Sequence, residues 1–254
     1  MSFENTHTVV TGGANGIGRC IAEAFLREDG LVTVIDIDKS AGEQMQSRYK
    51  DLRFFFGDIS EKAILESFVD SLRCPVNCLI NNACISRGGL FTGCSFEDFE
   101  YVQRVGVTAP YYLTSLLLRK HLLVPNASIV NIASTRAYQS QPGTESYSAA
   151  KGGIAALTHA MAVSLSGHAR VNAISPGWIE TAAYHIDAET PDHSEQDNRQ
   201  HPAGRVGIPK DIADMALFLC GDKAGFITGQ NITVDGGMSC LMVYHNDCGW
   251  ILKQ

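Results

Sequence analysis

Tyr147 precedes Lys151 by four residues in the run GTESYSAAKGG, Gly143 to Gly153. That spacing is just over one helical turn, so on a helix both side chains leave the same face. A phenol beside an ammonium can be an exposed pair, an ordinary helix contact or an acid–base device. The third reading has a physical basis, because a free phenol ionises near pH 10 and is only about 0.1% phenolate at neutrality. An ammonium about 4 Å away stabilises a phenolate by roughly 4 kcal/mol at an effective dielectric of about 20, which offsets about three pH units. Such a base could take the proton of an alcohol while hydride leaves the carbon.

A second group of residues could hold a phosphate. VVTGGANGIGRCIAEAFL reads as strand, glycine turn and helix, with Gly12, Gly16 and Gly18 in the turn. Glycines permit the tight turn, and the helix behind them offers free N–H groups and a positive dipole end. The next strand ends in Asp36, 18 residues beyond Gly18. A carboxylate there accepts hydrogen bonds from an adenosine ribose diol and repels a 2′-phosphate. Gly13, Ala14, Asn15, Ile37 and Asp38 supply no cation. The residues therefore predict NAD(H) as cofactor rather than NADP(H).

Both groups need a scaffold, and the chain alternates between two patterns to make one. HTVVT (7–11), LVTVID (31–36), LRFFF (52–56), NCLINN (77–82), ASIVNIA (127–133), ARVNAIS (169–175) and QNITVD (230–235) read as seven strands. Several are nearly continuous apolar runs, as strands covered on both faces should be. Helical patterns fall at 16–28, 40–50, 61–72, 96–123, 147–166 and 209–220. This alternation implies a parallel sheet with helices on both faces, an α/β Rossmann-type doubly wound fold occupying 1–254 as one domain. Residues 178–209 are polar and proline-punctuated and follow a strand's carboxyl end, so they are expected to form a substrate lid. Residues 238–254 extend past the last strand and either cross a subunit boundary or fray.

Composition excludes several classes. A formal charge of −7 argues against a nucleic-acid or anionic-membrane surface. The most apolar helical run, YYLTSLLLRKHLLV, is broken by Arg119, Lys120 and His121, so no bilayer span is expected. MSFENTHTVV lacks the basic start and apolar run of a signal peptide, so a cytoplasmic protein is expected. The eight cysteines are scattered, and CPVNC has no second pair to complete a zinc site. Reduced structural cysteines and no metal are the expectation.

The glycine spacing is T-G-x-x-x-G-I-G, and with it come GDIS (57–60), NNAC (81–84), NIAS (131–134), YSAAK (147–151), PGWIET (176–181) and GQNITVDGG (229–237). In that order and spacing the chain resembles the short-chain dehydrogenase/reductases over nearly its whole length. The resemblance implies that Tyr147 transfers the proton, that Lys151 binds the nicotinamide ribose and eases deprotonation of the phenol, and that Ser134 holds the substrate oxygen. It implies cofactor contacts from Gly12, Asn15, Gly16, Ile17 and Gly18 in the turn and from Asp36 and Ile37 at the ribose. Asp58 would meet the adenine amino group with Ile59 beside it, and the backbone of Asn82 and Ala83 would line the adenosine side. Pro176, Gly177, Ile179 and Thr181 would lie toward the nicotinamide, with Tyr147 and Lys151. The family also packs the helix that carries the tyrosine at a subunit interface, and Ala149, Gly152, Gly153, Ala156 and Ala160 suit such packing. A homotetramer, or failing that a dimer, is the expectation.

Two residues depart from the family pattern. Cys84 stands where many members have glycine, and Gly106 stands where the family usually has an asparagine that kinks its helix and whose carbonyl holds a relay water. Gly106 keeps a carbonyl and tolerates a kink, but lacks the side chain. Arg136, Tyr138, Gln139, Glu145, Trp178, Tyr184 and His185 are expected near the hydride site. That lining favours a small polyol, sugar or hydroxy-acid, oxidised at a secondary alcohol with NAD. The alternatives are an NADH-dependent reductase of 3-oxoacyl thioesters and a dinucleotide-binding protein of little turnover.

Overall fold

The computed structural model describes residues 2–186, 188–242 and 244. The tail beyond 244 and the expectations placed on it lie outside the described residues. Seven parallel strands form one sheet in the order β3-β2-β1-β4-β5-β6-β7. They are β1 His7–Thr11, β2 Leu31–Asp36, β3 Leu52–Phe56, β4 Val76–Asn81, β5 Leu123–Ile132, β6 Ala169–Pro176 and β7 Asn231–Val234. Strand order runs outward from β1 in both directions, so the crevice where it reverses opens above β1 and β4. Ligands bind at such a switch point, beyond the strands' carboxyl ends.

Eight α-helices cover the sheet among the described residues: α1 Gly16–Arg27, α2 Lys39–Arg48, α3 Lys62–Ser71, α4 Phe96–Gln103, α5 Ala109–Arg119, α6 Glu145–Ser164, α7 Glu195–Arg199 and α8 Pro209–Cys220. One core layer joins Ile21 and Phe25 of α1, Met45 of α2 and Ile212 and Ala216 of α8 to Val10, Val34, Ile80 and Val130. The other joins Leu65 and Phe68 of α3, Leu113 and Leu117 of α5 and Met161 of α6 to Val9, Ile35, Leu79 and Ile129. Alternate residues of each central strand thus feed opposite layers, which is why Val9 and Val10, Val34 and Ile35, Leu79 and Ile80, and Ile129 and Val130 are apolar at successive positions.

A buried polar chain ties the sheet to α6. Asn81 Nδ2 donates to Asn131 Oδ1 at 2.8 Å, Asn131 Nδ2 donates to Thr158 Oγ1 at 2.9 Å, and Thr158 Oγ1 donates to the Ile154 carbonyl at 2.8 Å. Asn131→Ala strands the Asn81 amide without its acceptor, a loss of about 1–3 kcal/mol. For a chain of this size the melting midpoint should fall by roughly 2–10 °C, and an unchanged midpoint would show that the chain is dispensable.

The sequence pattern implies one helix over 96–123, and the structure divides it. Between α4 and α5 lies one π-helical turn, Arg104–Thr108, where the Ala109 N–H bonds back five residues to the Arg104 carbonyl. Pro110 supplies the reason: it has no N–H for the Gly106 carbonyl four residues earlier, and its ring would collide with that carbonyl in a regular helix. The helix also ends at Arg119, because β5 starts at Leu123, four residues before the expected strand.

Candidate functional site

A cleft of about 480 Å³ lies at the crevice. Its floor begins at the glycine turn. Gly12 and Gly16 both adopt positive φ, +62° and +56°, and a Cβ on Gly12 would stand 2.8 Å from the Ala83 Cα. Gly12 therefore requires glycine on both counts, while at Gly16 the backbone conformation favours it. Gly18 differs: it does not line the cleft, and a Cβ there would run into the Gly12 carbonyl and the Asn82 side chain. Its part is the close seating of α1 against the turn. Asn82 braces the turn from the other side, its Nδ2 donating to the Thr11 and Gly12 carbonyls at 3.1 and 2.8 Å. Ala83 then presents its backbone to the cleft.

The α1 N-terminus has no side-chain cap, because the Asn15 amide donates to Asp38 Oδ2 at 2.8 Å. Its N–H groups are left facing an anion site. Asp36 ends β2 and is held by two backbone donors, Ala14 N–H to Oδ2 and Asp38 N–H to Oδ1, both at 2.9 Å. A carboxylate has about four acceptor positions, so two stay open for a ribose diol. The Asp38 carboxyl lies below the usual carboxylate range, chiefly through the Ala41 N–H and then the Asn15 amide. Asp58 accepts from the Ser60 N–H at 2.8 Å and from the Tyr101 hydroxyl at 2.9 Å, with Ile37 and Ile59 forming adjacent cleft walls. Burial, with Asp58 second, raises the Tyr101 phenol above its ordinary value.

At the other end Ser134, Tyr147 and Lys151 line the same cleft with Pro176, Gly177, Ile179 and Thr181. Lys151 is buried; its Nζ donates to the Ile132 carbonyl at 2.6 Å and stands 5.3 Å from the centre of the Tyr147 ring. Ser134 follows β5 as the cap of a short 3-10 turn, its Oγ accepting the Arg136 N–H at 3.1 Å. The start of α6 is fixed on both sides of Tyr147's neighbour Ser146: its Oγ donates to the Gly88 carbonyl at 2.7 Å, and its own carbonyl accepts from Gln103 at 2.9 Å. A catalytic constellation needs such support, because loops alone hold geometry poorly.

Of the side chains expected around the hydride site, several point elsewhere. Tyr184 packs into the core layer beside α1 with its hydroxyl hydrogen-bonded to Cys20; burial first and Cys20 second push its phenol up to about 12. Trp178 packs edge-on against His193 at 5.4 Å. Tyr138 shares a 2.7 Å hydrogen bond with Thr233. His185 does line the cleft, but at the phosphate turn, its Nε2 about 3.5 Å from where a Cβ on Gly16 would be. Cys84 lines the cleft beside Ala83, and Ile85, Val105 and Tyr101 are cleft-lining residues that sequence motifs do not single out. The segment 178–209 is closed at its base by a bridge between Ile179 and Gly207 and holds α7 and a 3-10 turn, Ala182–Tyr184.

Gly106 sits where the π turn crosses α6. A Cβ on it would be 2.8 Å from the Ala150 Cβ, and one on Gly153 would be 2.9 Å from Val107. The small residues at 150 and 153 therefore serve contact within the chain, while Ala149, Ala156 and Ala160 remain exposed. Gly106→Asn overpacks this crossing, at about 1–3 kcal/mol. The variant should melt earlier with no gain in turnover; a gain with unchanged melting would show that the crossing has room.

The comparisons with known proteins agree with this architecture. The profile of a family described as Enoyl-(Acyl carrier protein) reductase matches residues 12–239. The chain belongs to the short-chain dehydrogenase/reductase family. It is 43% identical to an uncharacterized oxidoreductase of Thermotoga maritima, over 95% of this chain and 99% of that protein. It is 33% identical to a protein of Aquifex aeolicus named 3-oxoacyl-[acyl-carrier-protein] reductase FabG, over 94% of this chain and 99% of that one. A solved structure, an apo SCOR enzyme from Clostridium thermocellum, superposes with a TM-score of 0.87 at 41% identity, covering 98% and 99% of the two chains. The chain is thus an oxidoreductase of this family, and no helix among its described residues is long and apolar enough to cross a membrane.

Proposed function

We propose that this oxidoreductase transfers hydride between NAD(H) and a secondary alcohol or its ketone, with Tyr147 as general acid and base. The observation that carries the reading is one cleft lined by Asp36 at one end and by Ser134, Tyr147 and Lys151 at the other. The cradle fits a dinucleotide: uncapped helix N–H groups, glycines at positive φ and a carboxylate with open acceptor positions. When bound, the nicotinamide supplies the hydride acceptor or donor. Ser134 Oγ holds the substrate oxygen, and the Tyr147 oxygen takes its proton in oxidation or gives one in reduction. Lys151, anchored on the Ile132 carbonyl, keeps its ammonium beside that phenol and reaches the ribose.

Asp36 favours NAD over NADP, since a 2′-phosphate would meet its carboxylate and Asp38 close by. A polyol, sugar or hydroxy-acid remains the substrate class we favour, with no nucleic-acid or membrane partner, in a cytoplasmic homotetramer that packs the exposed Ala149, Ala156 and Val163 side of α6. A second reading, reduction of 3-oxoacyl thioesters, is favoured by the Aquifex aeolicus relative. One panel separates the two: polyols, sugars and hydroxy-acids with NAD, and a 3-oxoacyl thioester with NADH, followed by NADH absorbance. Turnover of the thioester alone would replace the first reading by the second. An inert panel with both cofactors would remove both.

A further inference from the structure

We infer that His185, carried on the 178–209 segment, is a ligand for the pyrophosphate of the dinucleotide. The inference rests on the cofactor reading above and adds a residue that the glycine turn does not contain.

Charge balance in the cleft gives the first reason. A pyrophosphate brings two negative charges, while the cleft lining already holds the carboxylates of Asp36 and Asp58. Among the described residues, the lining side chains able to carry positive charge are Lys151 and His185. Lys151 is committed to the far end, buried on the Ile132 carbonyl beside Tyr147. The turn itself, Gly12 to Gly18, has no cation, and Arg19 is paired with Glu23 at 3.1 Å. The α1 N-terminus is thus left with His185 as its one side-chain ally.

Placement gives the second. His185 Nε2 lies about 3.5 Å from the position a Gly16 Cβ would take, directly over the first residue of α1. The Thr181 side chain lies 3.6–3.7 Å from the same point, so the imidazole and Thr181 flank Gly16 together, and a phosphate oxygen seated on the helix N–H groups beside them would be within reach of the ring. The position is held firmly. Tyr184 is packed against α1 and bonded to Cys20, and the His185 N–H closes a turn onto the Ala182 carbonyl at 2.9 Å. Asp38 lies within electrostatic reach of the ring.

Equilibrium binding of NADH by fluorescence and of ADP-ribose by calorimetry tests this in the full chain. His185→Ala should weaken both ligands about tenfold, the effect of one charge-assisted hydrogen bond. His185→Gln, which keeps an N–H donor, should stay within a few-fold of the parent. His185→Glu, which adds an anion, should weaken both by about a hundredfold or more. His185 is exposed, so melting midpoints should stay level across the series. Parent-like affinity of His185→Ala for both ligands overturns the inference and leaves the cofactor reading intact. A loss for NADH without a loss for ADP-ribose also overturns it, by moving His185 to the nicotinamide end. A parent chain that binds neither ligand removes the cofactor reading itself.

Discussion

Replacing Tyr147 by Phe should lower turnover by about 10²–10⁴-fold, the usual range for a positioned acid–base group, while NADH affinity stays within about twofold of the parent. The substitution deletes one oxygen and keeps the ring, so the ring's 5.3 Å contact with Lys151 Nζ persists and the start of α6 stays pinned by Ser146 and Gln103. The Ile132 carbonyl still holds Lys151, because that bond does not pass through the phenol. What is lost is the hydroxyl to which the proposed mechanism gives the proton exchange with the substrate oxygen. Lowered kcat and kcat/KM by similar factors would mark an interaction made in the transition state. Full activity in Tyr147→Phe would transfer the proton step to another residue. A matching loss of NADH affinity would make the phenol a binding group.

Strand and helix order was legible in the sequence because parallel strands buried on both faces carry apolar residues at successive positions, as in Val32 to Ile35 of β2 apart from Thr33 and in Cys78 to Ile80 of β4. The glycine turn was legible for a different reason: positive φ at Gly12 and Gly16 favours glycine at those positions, and the close approach of Ala83 requires it at Gly12. The π turn was less visible, because its cause is relational. A proline inside a helical pattern marks a break against the carbonyl four positions earlier, here that of Gly106, but the apolar period does not say that the break takes the form of a π turn. The support around Ser146 was hidden for a similar reason, since Gly88 and Gln103 reach it across more than forty positions. Side-chain direction in 178–209 was the least legible. Tyr184 and His185 are neighbours, yet one enters the α1 core and the other the cleft, and no short-range periodicity in a 3-10 turn specifies which.

Asp36→Ser should reverse or erase the cofactor preference, and the two halves of that effect have separate causes. In the parent, Ala14 and Asp38 N–H groups aim the Asp36 carboxylate, so on the proposed cofactor reading it would meet the ribose as a fixed charged acceptor. Losing hydrogen bonds to a charged group should weaken NADH by about 1.5–3 kcal/mol, roughly ten- to a hundredfold. For NADPH the sign is opposite. A carboxylate and a phosphate about 4 Å apart repel by about 4 kcal/mol at an effective dielectric near 20, and solvent at this half-open position trims that figure. Asp38 stays in place, tied to Asn15 and Ala41, and limits the gain. The NADH-to-NADPH affinity ratio should therefore move by about 10²–10³ toward NADPH, with Asp36→Ser/Asp38→Ser moving further. Ratios taken from fluorescence titrations need no substrate, so the measurement stands apart from turnover. A parent chain that already binds NADPH more tightly would show that Asp36 does not govern the choice. An unchanged ratio in the single variant would place the 2′-position away from β2.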